Sequence, residues 1–267
     1  MSAGPLRGAG IDPDAVRRLD RTPLVPLGRI LPASNQTFLC SLGPDGPRVV
    51  YKPVDGERPL WDFTEGTLAG REYAAWLVSE CLGWHVVPPT LLRTGPEGVG
   101  MVQLWCEPDP DQAPVDVVPV DQVPAGYRHV IDAVDGADQP VALVHEDTAT
   151  LRRMAVFDIV VNNTDRKGGH VLPMTDGHRY GVDHGVCFHA EDKLRTVLWG
   201  WAGEPLTGDE SGDVRRVHED AALDRALAEH LTGLEREMLH RRCERLLAAG
   251  RFPEPSHGWP PIPWPPF

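Results

Sequence analysis

The sequence contains no C-x-x-C pair. Its five cysteines, Cys40, Cys81, Cys106, Cys187 and Cys243, are odd in number and scattered. That excludes a zinc ribbon or a disulfide framework and fits a reducing compartment. There is no run of about 18 apolar residues, so no segment reads as a membrane span. Met1-Ser2-Ala3-Gly4-Pro5 lacks the apolar stretch of a secretory leader. The expectation is a cytoplasmic protein. Positive charge is scarce as well: 26 Lys and Arg stand against 39 Asp and Glu, a formal net charge of −13. Such a surface repels nucleic-acid phosphates and anionic lipid, so neither nucleic acid nor stable membrane association is expected. Arg152-Arg153 and Arg241-Arg242 are adjacent basic pairs, but on a helix such pairs form a solvated face. Finally, neither a G-x-G-x-x-G loop nor a P-loop occurs anywhere in the chain.

What is present is an ordinary globular composition, 41% hydrophobic and 24% charged over 267 residues, enough for a two-lobed unit with a substantial core. Residues 1–27 read as a loosely docked arm. Gly28-Arg29-Ile30 begins an extended segment, and Phe38–Leu42 and Arg48–Lys52 form a hairpin around Gly43-Pro44-Asp45-Gly46-Pro47. The pattern turns helical from Thr67 to Leu82 and stops at Gly83; Val86–Arg93 and Gly100–Trp105 then read as strands. The Pro- and Asp-rich stretch from Glu107 to Pro124 reads as a connector. A second hairpin flanks Asp135-Gly136, and a helix capped by Asp147 or Thr148 runs to Asn162-Asn163. Two helices are expected near 219–230 and 234–249. Residues 253–267 hold seven prolines and two tryptophans and read as an extended strap. The fold class is α+β: an antiparallel-sheet lobe over 28–106, a mostly helical lobe over 107–252, and the tail.

Chemistry concentrates in two clusters. Asn162-Asn163-Thr164-Asp165-Arg166-Lys167-Gly168-Gly169-His170 follows the helix, and Gly181-Val182-Asp183-His184-Gly185 lies across a predicted hairpin from it. An acid, a metal-capable side chain five residues on, and then a second acid near a glycine suit phosphoryl transfer. That reaction requires an oriented acceptor and a divalent cation held against the phosphates. Asp165 would orient the acceptor hydroxyl, although Asn and Asp also favour turns on their own account. Arg166 and Lys167 would neutralise the transferring group or fix the loop. His170 and Asp183 would hold Mg2+ or, because imidazole nitrogen suits transition metals, Mn2+; His170 could instead be structural. Lys52 at the end of a strand would meet the phosphates of ATP, held by Glu72 on the following helix, with Glu65 a weaker partner. Ser34, Asn35 and Thr37 would bind phosphate oxygens in place of a glycine loop, or form a polar turn. Adenine would lie against Val50 and the connector at Gln103-Leu104. Trp199-Gly200-Trp201 would be an acceptor platform or part of the core.

Tyr51-Lys52-Pro53, the helix with Glu72, Asn163-Thr164-Asp165-Arg166 and Val182-Asp183-His184-Gly185 occur in an order that resembles the phosphatidylinositol 3-/4-kinase superfamily. The likeness is to its type II 4-kinase branch and the short actinobacterial proteins grouped with it, and covers about residues 28–190. It implies a bilobal, protein-kinase-like fold, ATP and a divalent metal, with the catalytic role on Asp165 and a metal role on Asp183. His170 departs from the asparagine usual at its position, and the cysteine-rich lipidation stretch of the lipid kinases is missing. The expected function is an ATP-dependent phosphotransferase acting on a soluble protein or small-molecule hydroxyl. The alternatives are a nucleotide-binding pseudokinase, a phosphatidylinositol kinase, and a metal hydrolase built on His170, Asp183, His184 and His189.

Overall fold

The computed structural model describes residues 13–31, 35–58, 60–63, 66–256 and 258–267. Ser34 and Glu65 lie outside the described residues. The chain is a mixture of antiparallel sheets and, among the described residues, six α-helices. Helix α1 (Pro13–Arg21) corrects the expected loose arm: Leu19 is fully buried beneath the first sheet. Its last turn and the residue after it are tied down by Arg93, which donates to the carbonyls of Leu19 and Thr22.

That sheet consists of β1 (Leu24–Arg29), β2 (Phe38–Leu42), β3 (Arg48–Pro53), β4 (Thr90–Gly95) and β5 (Gly98–Leu104), in the order β1-β2-β3-β5-β4. The period of two along β3 sorts its side chains. Val49, Tyr51 and Pro53 are buried on one face, leaving Val50 and Lys52 half-buried on the other. Next in the chain is helix α2 (Leu68–Leu82). Thr67 caps it by accepting from the Gly70 amide at 2.9 Å, and Gly83 ends it in the left-handed region at φ 71°. Almost all of α2 is buried, on every side, which is why its sequence shows no polar stripe. Its apolar residues join the larger core with the second half of the chain, and the smaller core under the five-stranded sheet is separate.

The connector is not structureless. Within it β6 (Val115–Pro119) pairs with β8 (Pro140–Glu146), which pairs in turn with β7 (Tyr127–Val134). The second half is therefore less helical than expected. Helix α3 (Ala149–Val161) is capped by Thr148 and ends at Asn162, which adopts φ 52°. The hairpin of β9 (Val171–Pro173) and β10 (Arg179–Gly181) then sets the two clusters side by side. Three helices complete the core: α4 (Gly208–Glu219), absent from the sequence expectation, then α5 (Ala221–Leu227) and α6 (Gly233–Ala249). Beyond them the chain is extended and runs back across the α3–β9 loop.

Candidate active site

Three elements deliver three charges to one point. Lys52, on the cleft face of β3, has its ammonium 2.8 Å from Glu72 Oε1 on α2 and in contact with Asp183 Oδ1, just past β10. Glu72 is 2% exposed, and its other oxygen accepts the His184 amide at 2.9 Å. One buried carboxylate thus fixes both the lysine and the backbone beside Asp183. Burial alone would pull the Lys52 pKa down, but the carboxylates of Glu72 and Asp183 outweigh it and push it up. The ammonium in turn holds Asp183 well below the usual carboxylate range. Asp183 adopts φ 64°, a conformation costly for a non-glycine residue and typical of functional sites. These side chains and Asp165 line a cavity of about 270 Å³.

Asp165 is held by its neighbours' backbone and side chains. The buried Asn163 accepts the Asp165 amide at 3.0 Å, and its Nδ2 donates to Asp158 Oδ1 at 3.0 Å. Thr164 donates to the Val186 carbonyl at 2.8 Å. Burial raises the pKa of Asp165, against the opposing pull of Lys167, His170 and Arg195. A carboxylate with a raised pKa is a better proton acceptor, which suits the role expected for it. Lys167 Nζ lies 3.8 Å from Asp165 Oδ2 and remains partly exposed.

Arg166 is corrected from catalytic to structural. Its side chain is fully buried, with the guanidinium bound to both oxygens of Asp158 at 2.9 to 3.2 Å. It also donates to the carbonyls of His170 and Val182, each at 3.2 Å, and meets His184 Nε2 at 2.7 Å. Gly181 is glycine because of this: a Cβ there would lie 2.8 Å from the guanidinium. Arg166 therefore clamps the first cluster to the second. Sequence reasoning misses Asp158, whose one signal is a lone acid in the apolar run Met154–Val161.

His170 lies with its Nδ1 2.9 Å from the Asp165 carbonyl, so Nδ1 carries the proton and Nε2 keeps its lone pair. That nitrogen faces Asp183 Oδ2 at 3.6 Å, and burial keeps the imidazole pKa low. Two acceptors converging in this way suit a divalent cation. Among the described residues no group of three or more His, Cys, Asp or Glu gathers around one point. A bound ion would therefore complete its shell with phosphate and water, as magnesium sites commonly do. His184 packs inward on Phe157 and Arg166, and burial keeps it neutral. His189 sits instead against Asp62 at 3.4 Å and Phe63. The four groups of the hydrolase alternative do not converge.

The other nucleotide candidates divide. Asn35 lines the cavity, and its Oδ1 accepts the Arg58 amide at 2.8 Å. Thr37 is buried and donates to the Asn35 carbonyl at 3.3 Å, so its hydroxyl serves the turn. Val50 and Gln103 are register partners on the Lys52 face of the sheet, but Gln103 Nε2 is bound to Thr90. Leu104 is corrected: its side chain packs on the smaller core, on the opposite face. The Leu104 and Trp105 amides are already bound to the Pro89 and Arg48 carbonyls. Trp201 is fully buried against His145, while the partly exposed Trp199 donates to the Pro261 carbonyl at 2.8 Å, so the two do not form a joint platform. Glu57 and Arg58 carry no signal in the sequence. Both line the cavity, and the Glu57 carboxylate accepts the Leu68 and Ala69 amides at 2.8 Å each, at the start of α2.

No family model matches the chain. A solved structure, of the Helicobacter pylori proinflammatory kinase CtkA, is similar with a TM-score of 0.46 at 13% identity, over 87% of this chain and 94% of that one. Protein Rv2133c of Mycobacterium tuberculosis (strain ATCC 25618 / H37Rv) is 51% identical over 257 residues, which are 91% of this chain and 92% of that protein. With half of its residues shared over nearly the full length of both, the chain belongs to the same family as Protein Rv2133c.

Proposed function

We propose that the protein is an ATP-dependent phosphotransferase of the phosphatidylinositol 3-/4-kinase-like type, with residues 28–106 as its nucleotide lobe. The observation that carries this reading is the Glu72–Lys52–Asp183 chain beside Asp165, in one cavity. Phosphoryl transfer needs a cation on the phosphates, a carboxylate at the metal and a carboxylate at the acceptor, and these residues supply all three. Lys52 would bind the phosphates, while Asp183 and His170 would hold Mg2+ or Mn2+. The metal, when bound, screens the charge on the phosphates. Asp165 would orient a hydroxyl and accept its proton as the new P–O bond forms and the bond to ADP breaks. Asn35 and Arg58, which line the same cavity, would meet the phosphates.

A second reading, a nucleotide-binding regulator without turnover, is favoured by one observation. Glu57 occupies the amides at the start of α2, where an incoming anion would otherwise bind. Purified protein incubated with γ-labelled ATP and either metal separates the two, with Asp165→Ala as control. Transfer of label or release of ADP that is lost in the control supports a kinase. Binding without turnover supports the regulator, and no ATP binding overturns both. No helix among the described residues is long and apolar enough to cross a membrane, and the acceptor is proposed to be a soluble protein or small molecule.

A further inference from the structure

The tail touches the candidate catalytic loop at its centre. Gly168 donates its amide to the Pro266 carbonyl at 2.8 Å, and the Phe267 ring lies against the Gly168 backbone. A Cβ at Gly168 would collide with that ring, so the contact exists only because the loop has glycine there. Further along, the Pro261 carbonyl accepts both the Thr196 amide at 2.9 Å and the Trp199 indole at 2.8 Å. Thr196 is in turn bridged to Arg166, within the same loop. Trp259 covers the Lys193 ammonium at 5.1 Å, and Ile262 packs on the larger core. The tail therefore grips the loop from two sides.

We propose that Gly258–Phe267 is a positioning strap for the catalytic loop, with Phe267 as the positioning residue that seats it. The proposal rests on the reading of Asp165 as the acceptor-orienting group. The strap acts through a short series of contacts. Seating Gly168 sets the tight turn Gly168–His170, in which the His170 amide meets the Lys167 carbonyl at 3.1 Å. That turn places the His170 ring on the Asp165 carbonyl and toward Asp183. It also places the His170 carbonyl on the Val182 amide at 3.1 Å, one residue before Asp183. A proline-rich segment suits such a part because each ring fixes φ near −65°, so little chain freedom is lost on docking. None of these contacts involves Lys52 or Glu72. The strap should therefore govern transfer, and reach the nucleotide only through the metal that His170 and Asp183 would hold.

The test uses the whole chain with Phe267→Ala, Gly168→Ala, their combination, and Phe267→Leu as the milder variant. Hydrogen exchange at residues 165–171 is followed beside ATP turnover. In Phe267→Ala, exchange at Gly168–His170 should quicken about tenfold, and kcat should fall about tenfold at saturating metal and ATP. Phe267→Leu should recover part of both. Gly168→Ala should displace the ring and loosen the same amides, and the double variant should be no worse than Phe267→Ala. Unchanged loop exchange in Phe267→Ala overturns the proposal. So does a double variant whose losses simply add, or a change confined to KM for ATP. If the loop loosens but wild-type protein turns over no ATP, the strap stands as a brace and the phosphotransfer reading fails.

Discussion

At the scale of single residues, the decisive pair is Asp158–Arg166, fully buried between the two clusters. Removing one partner leaves the other charged in a dry interior. Asp158→Ala should therefore cost about 3 to 5 kcal/mol in urea unfolding, and Asp158→Leu/Arg166→Met should lose less than the single change. His145 provides a pH test. Its Nδ1 donates to the Glu146 carbonyl at 2.9 Å, and its Nε2 accepts the Gly200 amide at 3.0 Å, so both nitrogens serve the neutral ring. Burial pulls its pKa from 6.5 down to about 4. Between those values the unfolded chain binds the extra proton. This contribution is thus complete above about pH 6.5 and falls away as the pH drops toward 4, by on the order of 3 kcal/mol. The stability gap between wild type and the non-titrating His145→Gln should narrow across that window in denaturant titrations. Lys52, Glu72, Asp165 and Asp183 are legible in the sequence because each is a charged residue at a strand end, in a helix or beside a turn. Arg166 misleads for the same reason. A basic residue next to an acid looks catalytic until its buried partner, eight residues earlier, is seen.

At the scale of elements, the departures from expectation have identifiable causes. Helix α4 starts at Thr207, whose side chain accepts the Glu210 amide while Glu210 accepts the Thr207 amide, a reciprocal box. The Thr-x-x-Glu spacing stands in the sequence, but few apolar residues come after it to mark a helix. Thr207→Ala should lower stability by about 1 kcal/mol, read as a shift in urea midpoint with unchanged slope. Strand β6 is hidden by the prolines around it, and among the described residues Val115–Pro119 pairs with β8 alone, as an edge strand. Proline is tolerated at edges, so a proline-rich stretch does not exclude a strand. Helices α2 and α3 are legible nearly to their last residue because both carry a threonine cap and a left-handed stop.

At the scale of the whole molecule, Lys52 belongs to the sheet over the smaller core, and Glu72 to a helix rooted in the larger one. Their contact joins the two cores across the cavity. A nucleotide bound there would stabilise both at once. ATP with Mn2+ at about 100 times Kd should add about 2.7 kcal/mol, roughly 5 °C in Tm, and Lys52→Ala should abolish the shift. The contacts between cores are beyond the sequence, because a pattern of apolar residues does not say which core a buried helix joins. The docking of Pro266 and Phe267 on Gly168 has a consequence for biosynthesis. A ribosome adding about 5 to 20 residues per second needs roughly 5 to 20 s to pass from the loop to the tail. Throughout that interval Gly168 lacks its tail contacts while Asp158 can already hold Asn163 and Arg166, and the proposed strap can close only once Pro266 and Phe267 have emerged.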